Sequence, residues 1–99
     1  MASSELIFSS YAVEVFKNIV EDMQQVSLLS AEKVRTRILH KLHLIHHQPM
    51  QSSKKIEIGL EGHFRVATVL NYKIFYKLEK DRVCIVDMLL DKEAKSVQS

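Results

Sequence analysis

The stretch Tyr72-Lys73-Ile74-Phe75-Tyr76-Lys77-Leu78 decides the fold, because its side chains alternate in character along the chain. Successive residues of a β-strand point to opposite faces of the sheet. The even-numbered residues therefore form one wholly apolar face, and the odd-numbered residues form a second face with a lysine on each side of Phe75. A strand of this kind is buried on one side only, which predicts a sheet with one covered and one open face.

Further strands are predicted on both sides of this stretch. Residues 64–70 are rich in strand-forming side chains, and Asn71 marks a tight turn between them and Tyr72. Residues 83–90 are almost wholly apolar, which is typical of a central strand. Residues 55–58 alternate and predict one more short strand. The C-terminal half therefore predicts three or four antiparallel strands.

The N-terminal half has the apolar spacing of helices, apart from a brief strand predicted at residues 6–8. Ser9 or Ser10 caps a first helix that runs from Tyr11 to about Val26. Ser30 is a suitable N-cap for a second helix, which should end near residue 47 because Pro49 disfavours helical geometry before it. The apolar stripes are Ala12, Phe16, Ile19, Met23 and Val26 in the first helix, and Ala31, Val34, Ile38, Leu42 and Ile45 in the second.

These elements predict an α+β domain. A short N-terminal strand is followed by a two-helix antiparallel hairpin that packs on one face of a 3–4-stranded antiparallel sheet. At 99 residues the chain fits one domain, residues 1–99, with an ordered core of about 5–93. The composition, with 46% hydrophobic and 26% charged residues, is that of a folded protein rather than a disordered one.

Charge and cysteine content narrow the function classes. Between Lys33 and Arg82 there are eleven basic and four acidic residues, a local net charge of +7, whereas the remaining residues carry three and eight, a net charge of −5. This asymmetry indicates either a surface for an anionic partner or an ordinary solvated face. The single cysteine, Cys84, excludes an intramolecular disulfide framework. No signal peptide or membrane span is evident, so we expect a cytoplasmic protein.

No motif for a cofactor is present. The sequence lacks a phosphate-binding loop, a dinucleotide fingerprint and a Cys-x-x-Cys pair. His43 and His47 have the i, i+4 spacing of two metal ligands on one helix face, and His46 lies between them. No third ligand is evident and cations are in any case favourable near a helix C-terminus, so we predict no resident metal or cofactor. The role of the three histidines stays open.

The ordered set of segments resembles the RelE/ParE toxin superfamily over roughly residues 6–93. The family pattern is an arginine that opens a strand, then Tyr-Arg-apolar-apolar-Tyr, a short charged turn, and an apolar strand that ends in a basic residue. The segments that carry the resemblance are Tyr11-Ala12, Ser30-Ala31, Leu44 to Pro49, Gly62 to Val66, Asn71 to Leu78 and Val83 to Leu90.

The resemblance implies a bacterial toxin of a type II toxin–antitoxin or plasmid-stabilisation system, held inactive by a cognate antitoxin. ParE-like members inhibit DNA gyrase, and RelE-like members cleave mRNA in the ribosome. A third alternative is an inactive member that only binds a partner. The resemblance does not name the host target or the oligomeric state.

If the chain were a nuclease, the resemblance would place catalytic roles on Arg65, Lys73 and Lys92. Lys73 stands where the family has an arginine, and a lysine does not provide the two-pronged phosphate contact of a guanidinium. No tyrosine, histidine or arginine follows Lys92, so the late catalytic residue of a nuclease is missing. We therefore expect a ParE-like or non-catalytic member rather than a ribonuclease.

The binding surface for an antitoxin or a target is predicted on the open face of the sheet. Phe75 between two lysines would contact a partner protein, and Met88, with Val86 and Cys84, would extend the apolar patch. Solvated strand lysines and a structural ion pair at Arg65 are the alternatives. The predicted binding residues are Lys54, Lys55, Arg65, Lys73, Phe75, Lys77 and Met88.

Overall fold

The computed structural model describes residues 5–51, 54–56 and 64–91. The elements follow the order strand, two helices, four strands. Their bounds are β1 Glu5–Phe8, α1 Ser10–Gln24, α2 Leu28–His47, β2 Lys54–Ile56, β3 Phe64–Val69, β4 Tyr72–Glu79 and β5 Arg82–Leu90. The predicted α+β class is confirmed. Predicted strand residues 57 and 58, and residues 92 and 93 of the predicted core, lie outside the described part of the chain.

Serine side chains cap the start of both helices. The Ser9 side chain accepts a hydrogen bond from the Ala12 backbone N–H at 3.0 Å, as one of the two predicted caps requires. In α2 the cap is Ser27, which accepts from the Ser30 N–H at 2.9 Å. The prediction of Ser30 as the cap is wrong by one turn. Leu28 and Leu29 form the first turn of α2 and are largely exposed. Because they do not belong to the buried apolar stripe, the spacing of that stripe does not show that the helix begins this early.

The apolar stripes of the two helices point into one core. All five predicted stripe residues of α2 are buried. In α1 the first four stripe residues are buried or pack against the core, but Val26 is 70% exposed. The prediction for Val26 is wrong because α1 ends at Gln24, so Val26 lies in the link between the helices rather than on the helical face.

The sheet contains all five strands in the order β1-β5-β4-β3-β2. Strand β5 lies between β1 and β4, which confirms its predicted central position. The N-terminal strand pairs with β5 in parallel, from Glu5 opposite Arg82 to Phe8 opposite Ile85, so the sheet is mixed rather than purely antiparallel. This pairing requires the helical hairpin to cross over the sheet, which places both helices on one face.

A β-bulge changes the face of the last strand halfway along it. Phe75 pairs with Asp87, but the next residue, Tyr76, pairs with Ile85, so Val86 has no opposite partner. Beyond this extra residue the alternation is shifted by one, and Met88 turns into the core with 1% exposure. The prediction that Met88 shares a face with Cys84, and belongs to the open binding patch, is therefore wrong.

The β3–β4 hairpin has a two-residue turn, Leu70-Asn71, closed by the pairing of Val69 with Tyr72. Leu70 has φ 55°, the left-handed region that is unfavourable for a residue with a branched, bulky side chain. The turn predicted from Asn71 is confirmed, although the strained residue is its neighbour. Among the helices of the described residues, none has an apolar stretch long enough to cross a membrane.

Candidate functional site

The strand β4 presents Lys73, Phe75 and Lys77 on the side of the sheet that the helices leave uncovered. We call this side the open face. The lysine side chains are 38% and 37% exposed, and Phe75 is half-buried. Directly paired residues of antiparallel strands share a face. The register therefore adds Phe64, Val66 and Thr68 from β3, and Cys84, Asp87 and Leu89 from β5. The predicted openness of the lysine-bearing side holds within the described residues.

Both lysines of the open face lie beside carboxylates. The Lys73 ammonium nitrogen is 3.4 Å from Asp91 Oδ2, and the Lys77 nitrogen is 3.3 Å from Glu79 Oε2. These partly exposed pairs contribute little to stability, about 0–1 kcal/mol each. Their effect on the surface is larger, because each carboxylate cancels the charge of its lysine. The described open face therefore carries paired lysines beside Phe75 and Val66, with the Asp87 carboxylate on the other side of Phe75, so it is not strongly cationic.

The only thiol of the chain also lies on the open face. Cys84 Sγ is 3.6 Å from Glu79 Oε1, and Cys84 is opposite Lys77 in the sheet. Burial, followed by the negative charge of Glu79, raises the pKa of the Cys84 thiol. A raised pKa disfavours the thiolate, which is the reactive form. The Cys84 thiol is therefore half-buried, and at a given pH less of it is thiolate than in a cysteine of ordinary pKa.

Arg65 lies on the covered face of the sheet, away from the lysines. It is paired with Tyr76, whose side chain is fully buried in the core. The Arg65 guanidinium donates to the Met50 carbonyl at 3.0 Å, and the Tyr76 hydroxyl donates to the Pro49 carbonyl at 2.6 Å. Both side chains thus hold the turn that follows α2 against the sheet. This arrangement favours the structural interpretation of Arg65, and the structure does not bring it together with Lys73 and Lys77.

Three of the predicted site lysines are described only in part or not at all. Lys54 and Lys55 form β2, with backbone pairing opposite Val66 and Arg65, and their side chains lie outside the described structure. Lys92 also lies outside the described residues. Among the predicted residues whose side chains the structure describes, it brings together Lys73, Phe75 and Lys77.

In the described structure, much of the positive charge that has no ion-pair partner lies on α2 rather than on the open face. Within the described residues no ion pair is found for Lys33, Arg37 or Lys41, which follow one another at four-residue steps. Arg35 differs, because its guanidinium is 2.7 Å from Glu32 Oε2 and lowers the pKa of that carboxyl. The excess of positive charge in the middle of the sequence is thus carried in part by the outer side of this helix.

The chemistry available on the open face suits contact with a protein better than catalysis. Its cations are already paired, its thiol has a raised pKa, and its centre is the half-buried ring of Phe75. Over residues 5–51, 54–56 and 64–91, no group of three or more histidine, cysteine or acidic residues is placed to hold a metal ion. Asp91 and Glu79 are ion-pair partners of the open-face lysines that the sequence analysis did not identify. The pair of Lys77 with Glu79, two residues apart on one strand face, could have been found from strand spacing alone.

Comparison with known structures agrees with this architecture. A chain of the solved structure described as "Chromosomal ParDE TA system from P. aeruginosa" aligns with a TM-score of 0.75. The alignment covers 89% of this chain and 96% of that chain, at 12% sequence identity. This protein has the fold of that ParDE chain. No protein-family model and no curated protein sequence matches it. The fold expected from the RelE/ParE resemblance is therefore confirmed.

Proposed function

We propose that this protein is the toxin of a type II toxin–antitoxin system, neutralised by a cognate antitoxin and acting by binding a host protein such as DNA gyrase. The observation that carries the proposal is the fold shared with a ParDE chain over nearly the whole of both chains. The order of segments from Tyr11 to Leu90 supports the toxin half, because it is the RelE/ParE toxin pattern that this sequence resembles.

The open face supports binding as the mode of action. An apolar centre bordered by polar groups is the usual composition of a protein–protein contact surface. On the open face Phe75 and Val66 form the apolar part, and the Asp87 carboxylate, opposite Phe75 on the other side, is one of the polar groups that border it. Lys73 and Lys77 flank it and would exchange their present carboxylate partners for those of a bound protein. Aromatic residues in such positions often contribute most to binding energy.

A RelE-like ribonuclease is the alternative, and the described residues favour it less. Cleavage through the 2′-hydroxyl needs a base, an acid and cations on the phosphate. Arg65 contacts the Met50 carbonyl on the covered face, and Lys73 is paired with Asp91 on the other. Arg65 and Lys73 thus lie on opposite faces of the sheet, which argues against a phosphate site shared by these two residues.

Induced expression in a test bacterium tests the proposal. We expect growth arrest that is relieved by co-expression of the cognate antitoxin, for which a small acidic open reading frame beside the toxin gene would be the candidate. Purified protein should inhibit supercoiling by gyrase in vitro. Cleaved messages in translating ribosomes, with gyrase unaffected, would instead establish the ribonuclease. Normal growth would contradict the proposal that the protein is a toxin. If the protein still bound the antitoxin, it would be an inactive member that only binds a partner.

Substitutions on the open face test the site separately. Phe75→Ala should relieve growth arrest and weaken antitoxin binding, because it removes the apolar centre of the surface. Lys77→Ala should have a smaller effect. Lys33→Ala is the matched control, since it removes an exposed lysine from α2 and should leave toxicity unchanged. Each variant should keep its cooperative thermal unfolding. Full toxicity of folded Phe75→Ala would show that the surface is assigned to the wrong face.

A further inference from the structure

Three histidines surround the last turn of α2, outside the surface discussed above. The ring centroids of His43 and His47 are 4.4 Å apart, and those of His46 and His47 are 4.9 Å apart. His43 and His47 are both exposed, and the His47 ring contacts the rings of both other histidines. Two exposed imidazole rings thus lie side by side on one helix face.

This geometry matches the requirements of a metal ion. Residues four apart lie on the same side of a helix, one turn above the other, as in the zinc-binding helices of metalloproteases. Two imidazoles that bind one ion through bonds of about 2.0–2.1 Å must lie close together, and the centroids of the His43 and His47 rings are 4.4 Å apart. The C-terminal end of a helix also carries partial negative charge, which favours a cation.

We propose that His43 and His47 form a two-imidazole site for a divalent transition-metal ion such as Ni²⁺, Cu²⁺ or Zn²⁺. Imidazole nitrogen is a ligand that these ions prefer, whereas Mg²⁺ and Ca²⁺ prefer oxygen. Water completes the coordination, because the described residues include no group of three or more ligands. The site therefore binds an exchangeable ion and not a structural one.

The position of the site gives binding a structural consequence. A bound ion would link two successive turns at the end of α2, immediately before the Pro49–Met50 turn that Tyr76 and Arg65 hold against the sheet. An ion that binds only when the two histidines are one helical turn apart stabilises the folded state by mass action. Binding should therefore raise the melting temperature.

Titration of the full chain without a histidine tag, after treatment with EDTA, tests the proposal. Calorimetry with NiCl₂ should show one ion per chain, with a higher melting temperature, and MgCl₂ should give neither signal. His43→Gln and His47→Gln should each weaken Ni²⁺ binding at least about tenfold. A loss of about tenfold is the lower end of what is seen when a residue that only supports a metal ligand is changed, so loss of a ligand should cost at least as much. His40→Gln is the control, because His40 lies one turn earlier on the same helix without a neighbouring imidazole ring in the described structure.

Either of two results would overturn the site. One is Ni²⁺ affinity that survives in the folded double variant His43→Gln/His47→Gln, which would place the ion elsewhere. The other is an equal loss in His40→Gln, which would indicate nonspecific binding along the helix. Circular dichroism of each metal-free variant shows whether it is folded, so a loss of binding can be separated from a loss of structure.

Discussion

Two tyrosines on strand β4 differ in the hydrogen bonding of their hydroxyl groups, and that difference predicts effects of different size for the same substitution. Tyr76 and Tyr72 both face the core, with 0% and 8% exposure. The Tyr76 hydroxyl donates to the Pro49 carbonyl at 2.6 Å. Within the described residues, no hydrogen bond to the Tyr72 hydroxyl is found. Removing each hydroxyl therefore tests whether the contact with Pro49 stabilises the fold.

For Tyr76→Phe we expect a loss of about 1–1.5 kcal/mol in the free energy of unfolding, the upper part of the range for one hydrogen bond. The bond is short and joins strand β4 to the turn after α2, 27 residues away in the chain. In a domain of this size that loss lowers the melting temperature by roughly 5–10 °C. For Tyr72→Phe we expect a change within about 0.5 kcal/mol, because the substitution removes a hydroxyl that has no hydrogen-bond partner among the described residues.

Urea unfolding followed by far-ultraviolet circular dichroism measures both variants. The slope of free energy against urea should be the same in all three proteins, which shows that the same surface is exposed on unfolding. Equal losses in the two variants would contradict the reasoning, because the two phenylalanine substitutions would then act through packing alone. So would a Tyr76→Phe protein as stable as the parent.

Three further predictions concern a helix cap, a turn and a thiol. Ser27→Ala should lower the free energy of unfolding by about 1 kcal/mol and Ser30→Ala by much less, because Ser27 caps α2; equal losses in urea would contradict that assignment. Leu70→Asn should raise the melting temperature, with a gain of up to about 1 kcal/mol, because asparagine tolerates positive φ better than leucine; a lower melting temperature would argue against strain at this turn. Iodoacetamide at a pH of about 8.5, near the ordinary thiol pKa, should modify Cys84 slowly, because its raised pKa reduces the thiolate fraction. Glu79→Gln should increase the rate of modification but not restore that of an ordinary thiol, since burial is the larger cause of the raised pKa. An unchanged rate would show that Glu79 does not contribute to the raised pKa of Cys84.

The sequence by itself determined which segments are helices or strands and which residues of most segments are buried. Helical spacing identified the buried stripe of α2, and strict alternation identified the covered face of β4. Both patterns are local, because they follow from the rotation per residue of a single element. The open face with Phe75 between two lysines follows from the same local rule.

Tertiary structure alone decided the features that depend on how strands pair. Pairing with β4 placed Arg65 on the covered face, and the bulge at Val86 moved Met88 into the core. The tertiary structure also places Asp91 in an ion pair with Lys73 and pairs β1 with β5 in parallel. Register is set by contacts between residues far apart in the chain, and a shift of one residue reverses the face of every side chain beyond it. No local pattern within a strand contains that information, which is why the composition of the proposed site could be predicted only in part.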